Sequence, residues 1–425
     1  MTFELRTLLR PFTQLTASLL GSRFISVAAL SIFSAICGPE PFATFGIYFA
    51  VISVGGVLAC GRYEHAIIFA ETPREALHLA WLAAIIACGI AAVAFLIWNL
   101  LAAVNSVGVS PAVQQAVALV PAMSLSIAAR ALLRILSNLG AREANYNALA
   151  YANWTQAISQ GGLQLGLLVV GVNPIVCLIV ADIGGVIAST AVLAAARRQA
   201  LRLAGEVPTL GELSLLARNW LAMPIWDLPT SLLSVVALSC PALMLPIVYS
   251  ANLAGQLILA MRILEMSSNI LTGASTPLIQ REFAYSSDKP QILRSSMLVL
   301  TLGSTTVYSL GALATILGSG VLVGTRWAAI LAAIPYLAAY FAALTVSGPL
   351  VSLVAGLRAQ RKAVPLHATF LGLNALVASL MAIGLEWRLA LAALSASMVA
   401  RAIMFSVLLL RLANATEQPA RLQRR

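Results

Sequence analysis

Apolar residues run in long blocks along this chain, separated by short stretches where arginine, proline and glycine gather. A helix needs ~20 mostly apolar residues, at ~1.5 Å each, to cross ~30 Å of hydrocarbon. The blocks predict twelve such helices, over residues 13–37, 42–60, 78–101, 112–134, 153–171, 174–196, 220–243, 247–273, 292–316, 327–353, 365–384 and 389–411. Backbone polar groups find no water partner in lipid, so helices are the expected form. The ~10-residue alternation of a transmembrane barrel does not occur in the sequence. The expected fold class is all-α: a polytopic membrane protein, its helices in two six-helix lobes around a central cavity.

Composition sharpens this picture. Of 425 residues, 60% are hydrophobic and 10% are charged, against about 25% charged in a soluble domain. That excludes an ordinary soluble enzyme, a disordered chain and a coiled coil. The net charge of +11 would suggest nucleic acid in a soluble protein. In a membrane protein it records orientation, because basic loops stay cytoplasmic, so no nucleic-acid partner is expected. With the N-terminus inside, the predicted inner segments carry 21 of the 26 basic residues, the outer loops carry Arg326 and Arg388, and Arg23, Arg262 and Arg401 fall within helices. Both termini are therefore expected on the cytoplasmic side of the membrane. The outer connections, such as Gly38–Pro41, Gly171–Pro174 and Gly384–Trp387, leave no room for an external domain.

The longest polar stretch lies halfway along and divides the chain. The expected domains are 1–196, a six-helix lobe opening on an interfacial amphipathic helix (Phe3, Leu5, Leu8, Leu9 and Phe12 among Glu4, Arg6 and Arg10); 197–219, a cytoplasmic linker; 220–411, a second six-helix lobe; and 412–425, a basic tail. Residues 69–77 and 284–293 echo each other, each a charged turn around a proline before a helix start. Such an echo fits two related halves.

The chain shows no HExxH, GxSxG or Walker A pattern, and its five cysteines lie in or beside apolar runs without CxxC spacing. They read as small buried hydrophobes. No catalytic residue, metal site or cofactor is expected, and the chain is not expected to be an enzyme. Gly161, Gly162, Gly166, Gly184 and Gly185 put small surfaces on the fifth and sixth helices for close packing.

Ionisable residues inside a membrane are costly and tend to face a cavity. The sequence places Arg23, Arg262 and Arg401 there, with Asp182, Asp227 and Glu265. Two readings stand. In one, the arginines bind an anionic substrate group, because the guanidinium fork suits phosphate, and Asp227, Asp182 or Glu265 takes a coupling proton or sodium. In the other the charges pair internally: Arg262 and Glu265 share a helix face at a spacing of three, and Asp182 and Asp227 each neutralise another arginine. Asp227 lies between Pro224 and Pro229, where proline frees backbone carbonyls. Three arginines against three acids leave the interior formally near neutral.

Several stretches carry a resemblance. They are Gly61-Arg62-Tyr63-Glu64-His65-Ala66-Ile67-Ile68 with Pro73 after it; Gly255 and Arg262 with Pro277 to Arg281; Gly324-Thr325-Arg326-Trp327 with Pro335, Pro349 and the basic Arg358–Lys362 loop; and Pro224 through Pro229. Together they resemble the oligosaccharide flippases of polysaccharide biosynthesis, in the multidrug/oligosaccharidyl-lipid/polysaccharide exporter superfamily. The resemblance implies a transporter that carries a lipid-linked oligosaccharide, undecaprenyl-pyrophosphate-linked, across the bacterial inner membrane by alternating access for surface polysaccharide, including lipopolysaccharide, biosynthesis. It implies membrane lipids, glycosyltransferases and a polymerase as partners, and matches Arg23 and Arg262 to cationic cavity residues by helix. A cation-coupled drug or metabolite antiporter of the same fold is the alternative, and a glycan polymerase or ligase is a more distant one.

Overall fold

In the computed structural model, residues 2–104, 119–143, 145–197, 208–285, 289–322, 327–356 and 359–422 are described. Among them the chain is all-helical. The α-helices are α1 (Thr2–Cys37), α2 (Glu40–Leu58), α3 (Tyr63–Phe69), α4 (Pro73–Val104), α5 (Val120–Arg142), α6 (Tyr146–Val169), α7 (Pro174–Ala196), α8 (Leu210–Asn219), α9 (Leu228–Val248), α10 (Ala251–Tyr285), α11 (Lys289–Leu322), α12 (Ala328–Gly356), α13 (Gln360–Ala382) and α14 (Trp387–Leu422). A π-helical turn, Met223–Asp227, leads into α9.

Twelve of these helices are long, and each overlaps one of the twelve predicted apolar blocks. Ten are long and apolar enough to cross a membrane. The other two, α6 and α10, carry the polar residues: Asn147, Asn153, Gln156, Gln160 and Gln164 on α6, and Asn252, Gln256, Arg262, Glu265 and Asn269 on α10. The helix expected over 112–134 is described over Val120–Arg142. Its polar face had made its second half look like a loop, so Arg130 and Arg134, expected in an inner segment, lie within a span. The N-terminal segment expected as a separate interfacial helix is continuous with α1. Arg198, Arg202, the Gly324–Arg326 motif, Arg358, Arg424 and Arg425 lie outside the described residues.

The ends of the helices follow local chemistry. Gly38 and Gly171 turn the chain at φ 79° and 83°, which glycine does at little steric cost. Asn145 and Asn173 cap α6 and α7, their side chains accepting from the backbone N–H of Ala148 and Ile175 at 3.2 and 2.9 Å. At α8 the Thr209 hydroxyl and the Glu212 carboxylate form a reciprocal capping box.

The chain forms two compact units, Met1–Ile247 and Val248–Arg425. The division falls one helix later than the polar stretch over 197–219. The end of that stretch and the segment after it are held on the first unit by specific bonds. The Tyr63 hydroxyl donates to the Ala217 carbonyl at 3.3 Å and Trp220 Nε1 to Glu75 at 3.0 Å. Arg62 Nε meets Asp227 at 2.6 Å.

In the first unit α6 packs on α1 and α7, and α5 on α4 and α7. Phe33 meets Phe42 edge-on, with ring centroids 6.1 Å apart. Of the glycines singled out for packing, Gly161 lets Ala29 approach, Gly184 faces Leu163 and Gly185 faces the backbone of Gln156, whereas Gly162 and Gly166 face open space. In the second unit α12 packs against α10, α11 and α14, around a core that includes Phe283, Leu350, Leu353, Phe405 and Leu409.

Candidate functional site

Residues four apart share a helix face. On α5 that rule aligns Ser126, Arg130, Arg134, Asn138 and Arg142 into one polar stripe, and each member has a different partner. At the deep end the Tyr48 hydroxyl lies 3.0 Å from both Ser126 Oγ and an Asp182 oxygen. Arg130 Nη2 donates to both Asp182 oxygens at 2.6 and 2.7 Å, and its guanidinium stands 5.5 Å from the centroid of Phe49. A turn further on, Arg134 donates to the Gly56 carbonyl at 2.6 Å. Next, Asn138 donates to the Glu64 carbonyl at 2.8 Å. Arg142 completes the stripe by donating to the Ala70 carbonyl. The stripe thus fastens α5 to α7 at one end and to the α2–α3 corner at the other.

That corner is built tightly. Gly61 and Arg62 both take left-handed backbone, φ 57° and 67°, a conformation that costs a non-glycine residue ~1–3 kcal/mol. It reverses the chain so that Arg62 reaches Asp227 in the π turn, while Glu64 turns inward and is fully buried. Glu64 Oε1 lies 3.8 Å from Arg62 Nη1 and 3.6 Å from His65 Nε2. Burial holds the Glu64 carboxyl above the ordinary glutamate range, outweighing the Arg62 and Arg134 cations. Close packing of the corner around the imidazole, with help from Arg62, pushes His65 down to about 4, although part of its ring still reaches the surface. Burial beside Glu64 pushes the Cys60 thiol up to about 12.

The second unit holds its charges differently. Arg262 and Glu265 pair along α10 at 2.6 Å. Arg401, only 3% exposed, lies over the rings of Phe370 and Phe405 at 4.7 and 5.8 Å, a cation–π arrangement. A separate groove of about 570 Å³ runs between α11, α12 and α14, and its lining holds no charged side chain. Two of its serines bond to their own helices, Ser304 to the Thr301 carbonyl and Ser406 to the Ala402 carbonyl.

Three of the six residues picked from the sequence, Arg23, Asp182 and Asp227, lie in the first unit, and three, Arg262, Glu265 and Arg401, in the second. Arg23 is half-buried on α1. Asp182 meets Arg130, Asp227 meets Arg62 and Glu265 meets Arg262. Arg401 lies among aromatic rings. Each acid holds an arginine, as the internal-pairing reading expected. The sequence had not marked Tyr48, Arg130 and Arg134 as members of an intramembrane network. The signal for the arginines was present in their spacing of four.

The sequence matches no protein-family model and no curated protein. The fold is similar to solved structures. One is an inward-facing multidrug resistance MATE family transporter of the MOP superfamily, with TM-score 0.63 and 13% identity over 95% of this chain and 99% of that one. Another is an outward-facing conformation of such a transporter, with TM-score 0.62 and 14% identity over 96% and 95%. A third is a MOP superfamily transporter from Pyrococcus furiosus described by a reverse polarity of its binding pocket, with TM-score 0.58 and 14% identity over 96% of each chain. The chain has this MATE-like, two-lobed fold.

Proposed function

We propose that this protein carries a lipid-linked oligosaccharide across a bacterial inner membrane by alternating access, as a non-enzymatic transporter in surface polysaccharide biosynthesis, with both termini cytoplasmic. The observation that carries this reading is the surplus of cations in the helices. To Arg23, Arg262 and Arg401 the structure adds Arg130 and Arg134 within α5, while the intramembrane acids remain Asp182, Asp227 and Glu265. A positive surplus suits a substrate with a pyrophosphate head, since guanidinium groups bind phosphate oxygens in pairs. Arg23, Arg262 and Arg401 are the proposed substrate contacts. Similarity of fold to both inward- and outward-facing transporters supports alternating access.

A second reading is cation-coupled export of a drug or metabolite. Its support is the fold, which resembles transporters described as multidrug and one solved with Rb+. Asp182, Asp227 or Glu265 would then take the proton or sodium, yet all three already hold an arginine. Vesicles containing the protein and a fluorescent lipid-linked oligosaccharide distinguish the two. The glycan reading expects the labelled head to become accessible on the far leaflet faster than in empty vesicles, and slower with Arg23→Ala or Arg262→Ala. Folded protein giving no acceleration would overturn it; drug efflux in its place would establish the second reading.

A further inference from the structure

Glu64 is a carboxylate at 0% exposure whose two oxygens meet no hydrogen-bond donor of good geometry among the described residues, its own backbone N–H giving only a local contact. Buried carboxylates are ordinarily bonded, and one left without donors favours its neutral form. The charged groups acting on it come from three elements: Arg62 at the corner, Arg134 on α5 and Asp227 in the π turn. His65 touches it, and the Cys60 thiol lies within its field. Helix α4, which also packs on α3, carries Arg74, Glu75 and His78 in its first turns. Arg62 stands between two acids. Its Nε meets Asp227 at 2.6 Å and its Nη1 approaches Glu64 at 3.8 Å, so it is committed to the first and within reach of the second. His65 has a side chain 43% exposed, with Nε2 3.6 Å from the Glu64 carboxyl. It gives a buried acid a route to water.

We propose that Glu64 is a proton-binding site, reached through His65, whose ionised form competes with Asp227 for Arg62. In the protonated state Glu64 is neutral and Arg62 ties the π turn, and with it the start of α9, to the α3 corner. Loss of the proton to water through His65 leaves a carboxylate that draws the guanidinium toward itself and weakens that tie. The burial that holds Glu64 above the ordinary glutamate range brings this exchange toward neutral pH. The site stands whichever molecule is carried, and its readout uses no substrate.

The test is an infrared titration of the purified full-length protein in detergent, with glutamate labelled at the side-chain carboxyl carbon. The expected result is a protonated-carboxyl band that fades as pH rises and is absent in Glu64→Gln. In Asp227→Asn, Arg62 is released to Glu64 and the midpoint of that band moves down by about one pH unit; in Arg62→Gln it moves up. A Glu64→Gln spectrum identical to wild type would overturn the proton site. An unmoved midpoint in Asp227→Asn would overturn the competition for Arg62, and that measurement stands alone if Glu64→Gln does not fold.

Discussion

Arg130 in the first unit and Arg401 in the second pose the same problem, a guanidinium inside an apolar helix, and are answered by different chemistry. Arg130 is met by the Asp182 carboxylate, which also accepts from the Tyr48 hydroxyl, and by the Phe49 ring. Arg401 is met by two rings, those of Phe370 and Phe405. An ion pair taken from water costs desolvation on both sides, and removing one partner leaves the other exposed to the full penalty. Aromatic faces are already apolar and lose little when the cation leaves. The first unit is thus wired, with charges whose removal propagates, whereas the second is cushioned.

The largest test of that contrast is Asp182→Ala. It leaves Arg130 without its acid and is expected to destabilise the protein by about 3–5 kcal/mol. Arg401→Met, by comparison, keeps volume among the rings and is expected to stay within about 1.5 kcal/mol of wild type. Thermal unfolding of both variants in the same detergent measures the pair; equal losses would erase the distinction.

Packing separates two glycines in the same unit. A Cβ at Gly185 meets the Gln156 carbonyl oxygen and Gln160 Cβ at 2.9 Å, whereas one at Gly162 meets nothing. Gly185→Ala is expected to cost about 1–3 kcal/mol through overpacking. Gly162→Ala is expected to gain about 0.4–1 kcal/mol by restricting the unfolded chain, read in the same melts.

The pH dependence of the wired unit has a definite sign. Glu64 has a raised folded value, so below the unfolded glutamate value it is protonated in both states and costs nothing. As pH rises past that value the unfolded chain releases the proton first, and stability falls until the folded group ionises too. Glu64→Gln removes this loss, and melts from acid to neutral pH are expected to show a smaller decline than wild type. His65 works in the opposite direction. Its depressed value means stability is lost as pH falls below the unfolded histidine value toward about 4, a slope that persists in Glu64→Gln and vanishes in His65→Gln.

The smallest effect belongs to the second unit. Arg262 and Glu265 pair within one helix with Glu265 36% exposed, so Glu265→Gln is expected to cost only about 0.2–0.5 kcal/mol. A loss as large as that of Asp182→Ala would show that the second unit is wired too.

Most of the fold was legible because burial in hydrocarbon leaves its mark on composition alone. Long apolar blocks placed the twelve long helices, and even α6 and α10, with their amides and charges, kept enough apolar length to be marked. Pairing of Arg262 with Glu265 was legible because a helix brings i and i+3 together wherever it lies. Arg130 and Arg134 were mislocated because averaged hydropathy measures how apolar a stretch is and ignores direction. A stripe on one face of α5 therefore resembled a polar loop. The contact between Arg62 and Asp227 spans 165 positions, and the partnership of Tyr48 with Asp182 spans 134. Nothing local in either segment encodes a meeting of that range; it follows from how α2, α5, α7 and the π turn pack.

The π turn Met223–Asp227 fits one more residue into its coil than an α-helix would. Each residue advances an α-helix by about 100°, so the extra one sets the compass bearing of the Asp227 carboxylate. Delete a single residue from this widened coil and the aspartate swings away from its guanidinium by that angle, leaving α9 threaded as before yet unmoored at its first turn.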